Sequence, residues 1–179
     1  MNSDALPFVS VNVPVFKDQA GIDKSHEALT TQSYAQNRYE IIVVDNNSEP
    51  PIYLKSKANF HVQLVRCGTA GSYAARNKGI ADSSGEILAF TDADCVPNSE
   101  WIKKGVTTLL DGGSNCVVGG EVLFAAPKSK RATELYQFVV GFLQKENINE
   151  RQFTATANLF TYRSQFDKTG LFDTNLLSG

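Results

Sequence analysis

Two carboxylates one residue apart, Asp92 and Asp94, close the run ILAFTDADCVP, Ile87 to Pro97. The residues before them, Ile87 to Thr91, have the character of a buried strand. A carboxylate pair leaving such a strand needs something positive beside it. Hard divalent cations take oxygen ligands, and magnesium-type sites often combine one or two carboxylates with phosphate oxygens of a substrate. Asp92 and Asp94 are therefore candidate metal ligands, with a diphosphate as natural third party. The plainer alternative is an Asp-rich turn whose side chains cap backbone amides. A calcium loop is excluded, because its fifth, sixth and twelfth positions fall on Val96, Pro97 and Lys103. A phosphoryl-transfer nucleophile at Asp92 also suits a strand followed by DADCV.

Asp45 directly follows the apolar run Ile41 to Val44. There it can accept a hydrogen bond from a ribose hydroxyl or a base imide, or cap the turn through Asn46, Asn47 and Ser48. The stretch GTAGSYAARNKG, Gly68 to Gly79, is neither a P-loop nor a G-x-G-x-x-G motif. Gly71 still opens a helix, whose first N–H groups favour an anion. Arg76 and Asn77 lie about one and a half turns in. Arg76 can pair with a phosphate or with one of the aspartates; the alternative is a solvated Arg-Asn-Lys face. Ala74, Ala75 and Gly79 would let this helix approach the sheet closely and bring Arg76 to the crevice. His26 and His61 have no metal-like neighbours, and Trp101 reads as a packing residue. Ser10, Ser72 and Ser164 lack a paired histidine, so a serine hydrolase has no support.

These residues need elements to position them. Strands are expected over Phe8 to Phe16, Ile41 to Val44, His61 to Cys67, Glu86 to Thr91, Asn115 to Phe124 and Thr154 to Tyr162. Helices are expected over Ile22 to Tyr34, Ser72 to Ala81, from an Asn98 or Ser99 cap to an end before Gly112-Gly113, over Ala132 to Glu146, and over Arg163 to Lys168 with Gly170 as its stop. Strand and helix alternate in the first half, which implies βαβ units and a mostly parallel sheet; the later strands make it mixed. Ligands of such sheets bind outside the carboxyl ends of the strands. Pro14-Val15-Phe16, Asp45-Asn46-Asn47-Ser48, Gly68 to Gly71 and Asp92-Ala93-Asp94 all sit at such ends and would converge on one crevice.

The 179 residues suggest a single domain, residues 1–179. A net charge of -2 gives no basic field for nucleic acid, so no nucleic-acid partner is expected. Cys67, Cys95 and Cys116 form no zinc spacing and read as reduced cytosolic thiols. The start MNSDALPFVS has no basic or apolar segment of a signal peptide. No apolar run approaches the ~18 residues of a membrane span. A cytoplasmic protein is expected, with peripheral association at the inner face of the membrane left open.

These motifs together resemble the inverting glycosyltransferases of the family-2 type. VSVNVPVFKD is similar to that family's VSVVIPTYN, and YEIIVVDNNS to its (E)IIVVDDGS. GSYAARNKGIADSSGEILAFTDADCVP is similar to G-x-x-x-A-R-N-x-G-x-x-x-A-x-G-(E/D)-x-(I/L)-x-F-x-D-x-D, the most specific segment. TANLFTYRSQFDKTGLFDTNL is similar to G-x-N-x-x-x-R-(K/R)-x-x-F-x-x-x-G-x-F-D. The resemblance implies the GT-A fold, a Rossmann-like three-layer α/β/α sandwich. It implies a donor half over residues 8–97 and the start of an acceptor half over 98–179. It implies a nucleotide-diphospho-sugar donor, most simply a UDP-sugar, a saccharide or lipid-linked acceptor, and Mg²⁺ or Mn²⁺.

It further implies that Pro14, Val15 and Phe16 lie against the base, and that Asp45 binds base or ribose with Asn47 nearby. Gly71, Arg76 and Asn77 would lie by the base or phosphates, and Asp92, Ala93 and Asp94 by ribose and metal. Asn46-Asn47 replaces the family's more usual Asp-Gly or Asn-Gly. The acidic segment that supplies the family's general base is expected just beyond Gly179, so the chain is expected to be incomplete at its C-terminus and Asp173 is not given that role. Two other readings stand beside this one. A non-catalytic nucleotide-sugar-binding module would keep the donor half alone. A haloacid-dehalogenase-like phosphohydrolase would use Asp92 as nucleophile, although in that family the motif follows the first strand.

Overall fold

The computed structural model describes residues 6–55, 61–124, 131–132 and 144–176. Its six strands are β1 (Val9–Val15), β2 (Tyr39–Asp45), β3 (Val62–Arg66), β4 (Ile87–Thr91), β5 (Val117–Gly119) and β6 (Asn158–Tyr162). Its helices are α1 (Gln19–Leu29), α2 (Ser72–Asp82), α3 (Trp101–Gly112), α4 (Gln144–Arg151) and α5 (Arg163–Thr169). The strands form one sheet in the order β3-β2-β1-β4-β6-β5. β1 to β4 are parallel, and β6 is antiparallel to both β4 and β5, so the sheet is mixed.

Side-chain alternation divides the sheet into two faces. Val9, Val11, Val13 and Val15 of β1 join Ile41 and Val43 of β2 and Ile87 and Ala89 of β4 in one cluster. Ile22 and Leu29 of α1 and Ile102, Val106 and Leu109 of α3 complete that cluster. On the opposite face Ile42 and Val44 meet Ala74 and Ala75 of α2, while Leu88 and Phe90 meet Ile80, Phe166 and Phe172. Helices thus cover both faces. That explains why β2 and β4, buried throughout, read as continuous apolar runs.

The α2 side of β1 is polar. Asn12 is buried there, and its Nδ2 donates to the Arg76 carbonyl oxygen at 2.9 Å. This bond fixes α2 at the residue whose side chain enters the site. Gly79 makes the approach possible, since a Cβ there would lie 2.1 Å from Asn12 Nδ2.

Several element ends differ from the sequence expectation. α1 starts earlier because Asp18 accepts from the Gly21 N–H, and it stops at Leu29, where the Thr30 and Thr31 hydroxyls bond back to the Glu27 carbonyl. α3 is capped one residue later than expected, at Glu100, whose N–H donates to Asn98 Oδ1. β5 spans only Val117–Gly119, since this edge strand has a single neighbour and runs into Gly120. Most of the helix expected over Ala132 to Glu146 lies outside the described residues. His26 is buried and partnered, and Trp101 packs on Phe160 with ring centroids 4.7 Å apart. Among the described residues no helix is long and apolar enough to cross a membrane.

The close approach at Gly79 makes a direct prediction. Gly79→Ala must push α2 outward or break the Asn12–Arg76 bond, because Asn12 is buried and cannot yield freely. The expected loss is about 1–3 kcal/mol, read from the midpoint of urea unfolding.

Candidate functional site

The chain runs outward from β1 through β2 to β3, then returns to the other side of β1 for β4. A crevice opens at the carboxyl ends of parallel strands where the order reverses in this way. Here it is a cavity of about 790 Å³. Pro14, Val15, Phe16 and Lys17 line it from the end of β1, and Asn46, Asn47 and Glu49 from the end of β2. Ala70, Gly71, Ser72 and Arg76 contribute from the β3–α2 connection, and Asp92 and Asp94 from the end of β4.

Arg76 is the fixed charge of this cavity. Its side chain is only 3% exposed, and its Nη2 donates to Asp92 Oδ1 at 2.7 Å. Its Nε and Nη1 are buried with no hydrogen-bond partner. A guanidinium presents five N–H donors, so this one keeps unused capacity beside a cavity that the residue helps to line. Buried polar atoms left without partners each require an explanation, and an anionic ligand is a simple one. Asp92 is 36% exposed on its side chain, and Asp94 is exposed at the rim.

Backbone geometry is unusual around the cavity. Lys17, Asn47 and Gly71 have φ of 52°, 62° and 110°, and all three line it. Left-handed backbone at non-glycine residues is uncommon, with asparagine among the residues that tolerate it best. Asn47 thus keeps the glycine-like conformation that replacement of Gly put in question. Arg66 holds its side chain, donating to Asn47 Oδ1 from Nη2 at 2.9 Å and to Glu49 at the same distance. Lys17 Nζ lies 5.0 Å from the centroid of the exposed Phe16 ring.

Three sequence-predicted site residues, Asp45, Asn77 and Ala93, do not line the cavity, and a fourth, Gly71, lines it with its N–H occupied. Asp45 is buried and does not line the cavity. Its carboxylate accepts from the Ser48 N–H at 2.9 Å and the Ile52 N–H at 3.3 Å, so it caps the β2 turn. Asn77 turns away, and both ends of its amide bind the Phe172 backbone. Ala93 is buried in the apolar core between the two carboxylates and does not line the cavity. Gly71 lines the cavity, but its N–H is taken by Asn46 Oδ1 at 2.9 Å and is not open to an anion.

Lys17 and Glu49 were missed from the sequence, and Asn46 was placed at the crevice without a role. Asn46 bridges two strand ends, because its Nδ2 also donates to the Thr69 carbonyl. The signal for it was its place in the turn directly after Asp45.

Burial pushes the Cys95 thiol up, and the charges of Asp92 and Asp94 push it further. Among the described residues no group of three or more His, Cys, Asp or Glu could hold a metal ion. Asp92 and Asp94 together offer a cation two hard oxygen donors, with other oxygens to come from outside the chain.

The profile of the glycosyl transferase family 2 matches residues 10–170. The chain belongs to that family. Glycosyltransferase AglE of Haloferax volcanii is 38% identical over 183 residues, which cover 99% of this chain and 60% of AglE. The family-2 chain here therefore spans under two thirds of that relative's length. Among solved structures, mannosyltransferase PcManGT from Pyrobaculum calidifontis, in complex with GDP-Man and Mn²⁺, aligns with a TM-score of 0.71 at 20% identity. That alignment covers 97% of this chain and 50% of PcManGT. Staphylococcus aureus TarS 1-349 in complex with UDP aligns with a TM-score of 0.69 at 17% identity, covering 96% of this chain and 52% of that one. The fold is GT-A. Membership removes the haloacid-dehalogenase reading, whose motif would follow the first strand, whereas Asp92 follows β4.

The Arg76–Asp92 pair predicts an asymmetry in stability. Asp92→Ala strands a buried guanidinium, whereas Arg76→Met leaves a carboxylate that water can reach. We expect Asp92→Ala to cost about 2–4 kcal/mol and Arg76→Met less than about 1 kcal/mol. Urea unfolding of both single variants and the double variant measures the difference and the coupling.

Proposed function

We propose that this family-2 glycosyltransferase binds a nucleoside diphosphate sugar in the crevice, with UDP as its nucleotide, and transfers the sugar to an acceptor hydroxyl with inversion. The observation that carries the proposal is Arg76, a buried cation with two unpartnered nitrogens that helps to line a cavity together with Asp92 and Asp94. Known relatives fit it: the TarS structure holds UDP, and the PcManGT structure GDP-Man with Mn²⁺.

The residues fit roles along the cleft. Pro14, Val15 and Phe16 offer an apolar wall at the end of β1, suited to the flat face of a base. Asn47 offers an amide to the base or ribose, and Asp45 supports it by holding the turn. Gly71 has no side chain to keep a ligand from the backbone. Arg76 directs its donors at the diphosphate and orients Asp92. Asp92 and Asp94 would hold Mg²⁺ or Mn²⁺, whose donor set the diphosphate oxygens would complete. When bound, that ion supplies a positive charge that stabilises the leaving nucleotide. Arg76 adds charge that is fixed before the reaction and needs no reorganisation.

Inversion requires one displacement, with the acceptor hydroxyl attacking the anomeric carbon opposite the leaving diphosphate. The hydroxyl loses its proton to a general base, a role we assign to the part of the protein beyond this chain. The acceptor would be a saccharide or a lipid-linked sugar. A lipid-linked acceptor would bring the protein to the cytoplasmic membrane surface.

Calorimetric titration with UDP tests the donor reading. UDP should bind more tightly with Mn²⁺ than without it, and more tightly than GDP or ADP. Asp94→Ala should remove most of the metal dependence, at least about tenfold in Kd. A Kd for UDP that ignores both Mn²⁺ and Asp94→Ala would sink the metal assignment. Binding without any turnover of UDP-sugars by the full-length protein would favour a non-catalytic module.

A further inference from the structure

Asn77 follows Arg76 but serves another part of the chain. Its Nδ2 donates to the Phe172 carbonyl at 2.9 Å, and its Oδ1 accepts from the Phe172 N–H at 3.0 Å. A side-chain amide here satisfies both polar groups of one residue 95 positions away. The Phe172 ring is held as firmly. It stacks on Tyr73 of α2 at 5.6 Å with the planes 14° apart, and it meets Phe90 of β4 edge-on at 5.7 Å. Phe166 of α5 closes the cluster at 5.3 Å.

The neighbours of Phe172 have no such hold. Leu171 and residues 173–176 are exposed, and Phe172 alone is half-buried. Asp173 binds only within its own turn, accepting from the backbone and side-chain amides of Asn175. The direction of the chain after α5 is therefore set at one residue. That residue is referenced to both halves of the buried ion pair. α2 carries Arg76 one position before Asn77, and Asp92 directly follows β4, two positions after Phe90. The Arg76 guanidinium carbon also lies 6.0 Å from the Tyr73 ring centroid.

We infer that Asn77 and Phe172 form a clasp that positions the segment after α5 against the elements that carry the donor crevice. Asn77 is thus a positioning residue for transfer and not a ligand of the donor. The inference rests on the glycosyl-transfer reading for its kinetic consequence, and on geometry alone for the clasp. Its physical basis is that a small misplacement of reacting groups slows transfer while leaving the donor site intact.

The test uses the full-length protein and the variants Asn77→Ala, Asn77→Asp and Phe172→Ala. Aspartate keeps the size of Asn77 but loses the donor and sets a charge against the Phe172 carbonyl. In all three, Kd for UDP with Mn²⁺ should stay within about twofold, while kcat for sugar transfer falls on the order of tenfold or more. Asn77→Ala combined with Phe172→Ala should do little more harm than either alone. Hydrogen exchange of the Leu171–Leu176 amides should quicken at least about tenfold in Asn77→Ala.

A UDP Kd that weakens in step with kcat would show that Asn77 acts on the donor. An unchanged kcat with quickened exchange would also overturn the inference. If Phe172→Ala does not fold, the two Asn77 variants decide. If the unaltered protein binds no nucleotide, the donor reading fails by itself, and unchanged exchange in Asn77→Ala would then overturn the clasp as well.

Discussion

A buried guanidinium with one charged partner is the constraint around which this molecule is arranged. Removing an ion from water costs several kcal/mol unless good geometry and further hydrogen bonds offset it. Arg76 has one short bond to Asp92 and two nitrogens with none. Such a residue does not stabilise the fold; the fold must hold it. Asn12 does so by binding the Arg76 carbonyl, Gly79 by letting the helix sit against β1, and Ala74 and Ala75 by adding no bulk between helix and sheet.

The stability that offsets this comes from the other face. There α1 and α3 cover β1, β2 and β4 with a continuous layer of Val, Ile and Leu, at roughly 25 cal/mol for each Å² of apolar surface removed from water. The α2 face is divided into two smaller clusters, one beside β2 and one beside β4. Asn12 lies between them on the central strand. The sheet thus separates tasks, with dense apolar packing beneath and polar positioning above. The cavity lies at the strand ends where the polar side can reach it.

This division explains what the sequence made legible. Continuous apolar runs announced β2 and β4, and the carboxylates at their ends announced the crevice. The order of strands and helices gave a mostly parallel, mixed α/β sheet, and GT-A architecture came from the resemblance of the motifs. Individual side-chain directions were harder. Arg76 and Asn77 read as one motif, yet a helix turns about 100° per residue, so neighbours cannot share a target. Arg76 enters the cavity and Asn77 leaves toward Phe172.

Asp45 was misplaced for a related reason. A carboxylate at a strand end can face a ligand or its own turn, and two backbone N–H donors at Ser48 and Ile52 decide between them. Ile52 is distant enough along the chain that spacing gave no hint. The role of Asn46 was overlooked because its partners, Gly71 and Thr69, belong to another strand's end.

Under the proposed function, the charges around the cavity would suit a metal and a donor that bind as a pair. A diphosphate alone would meet Arg76 and Lys17, but also Asp92, Asp94 and Glu49 on the same walls. A divalent cation alone would meet two carboxylates, one already engaged by Arg76, with no third His, Cys, Asp or Glu grouped with them among the described residues. Each is poorly matched alone, and together each supplies what the other lacks. Linkage then requires equal coupling in both directions, so that whatever factor the metal adds to nucleotide affinity, the nucleotide adds to metal affinity. The Arg76–Asp92 bond gives this coupling a mechanical basis, since the residue that would touch the phosphates also fixes one of the two carboxylates the metal would need.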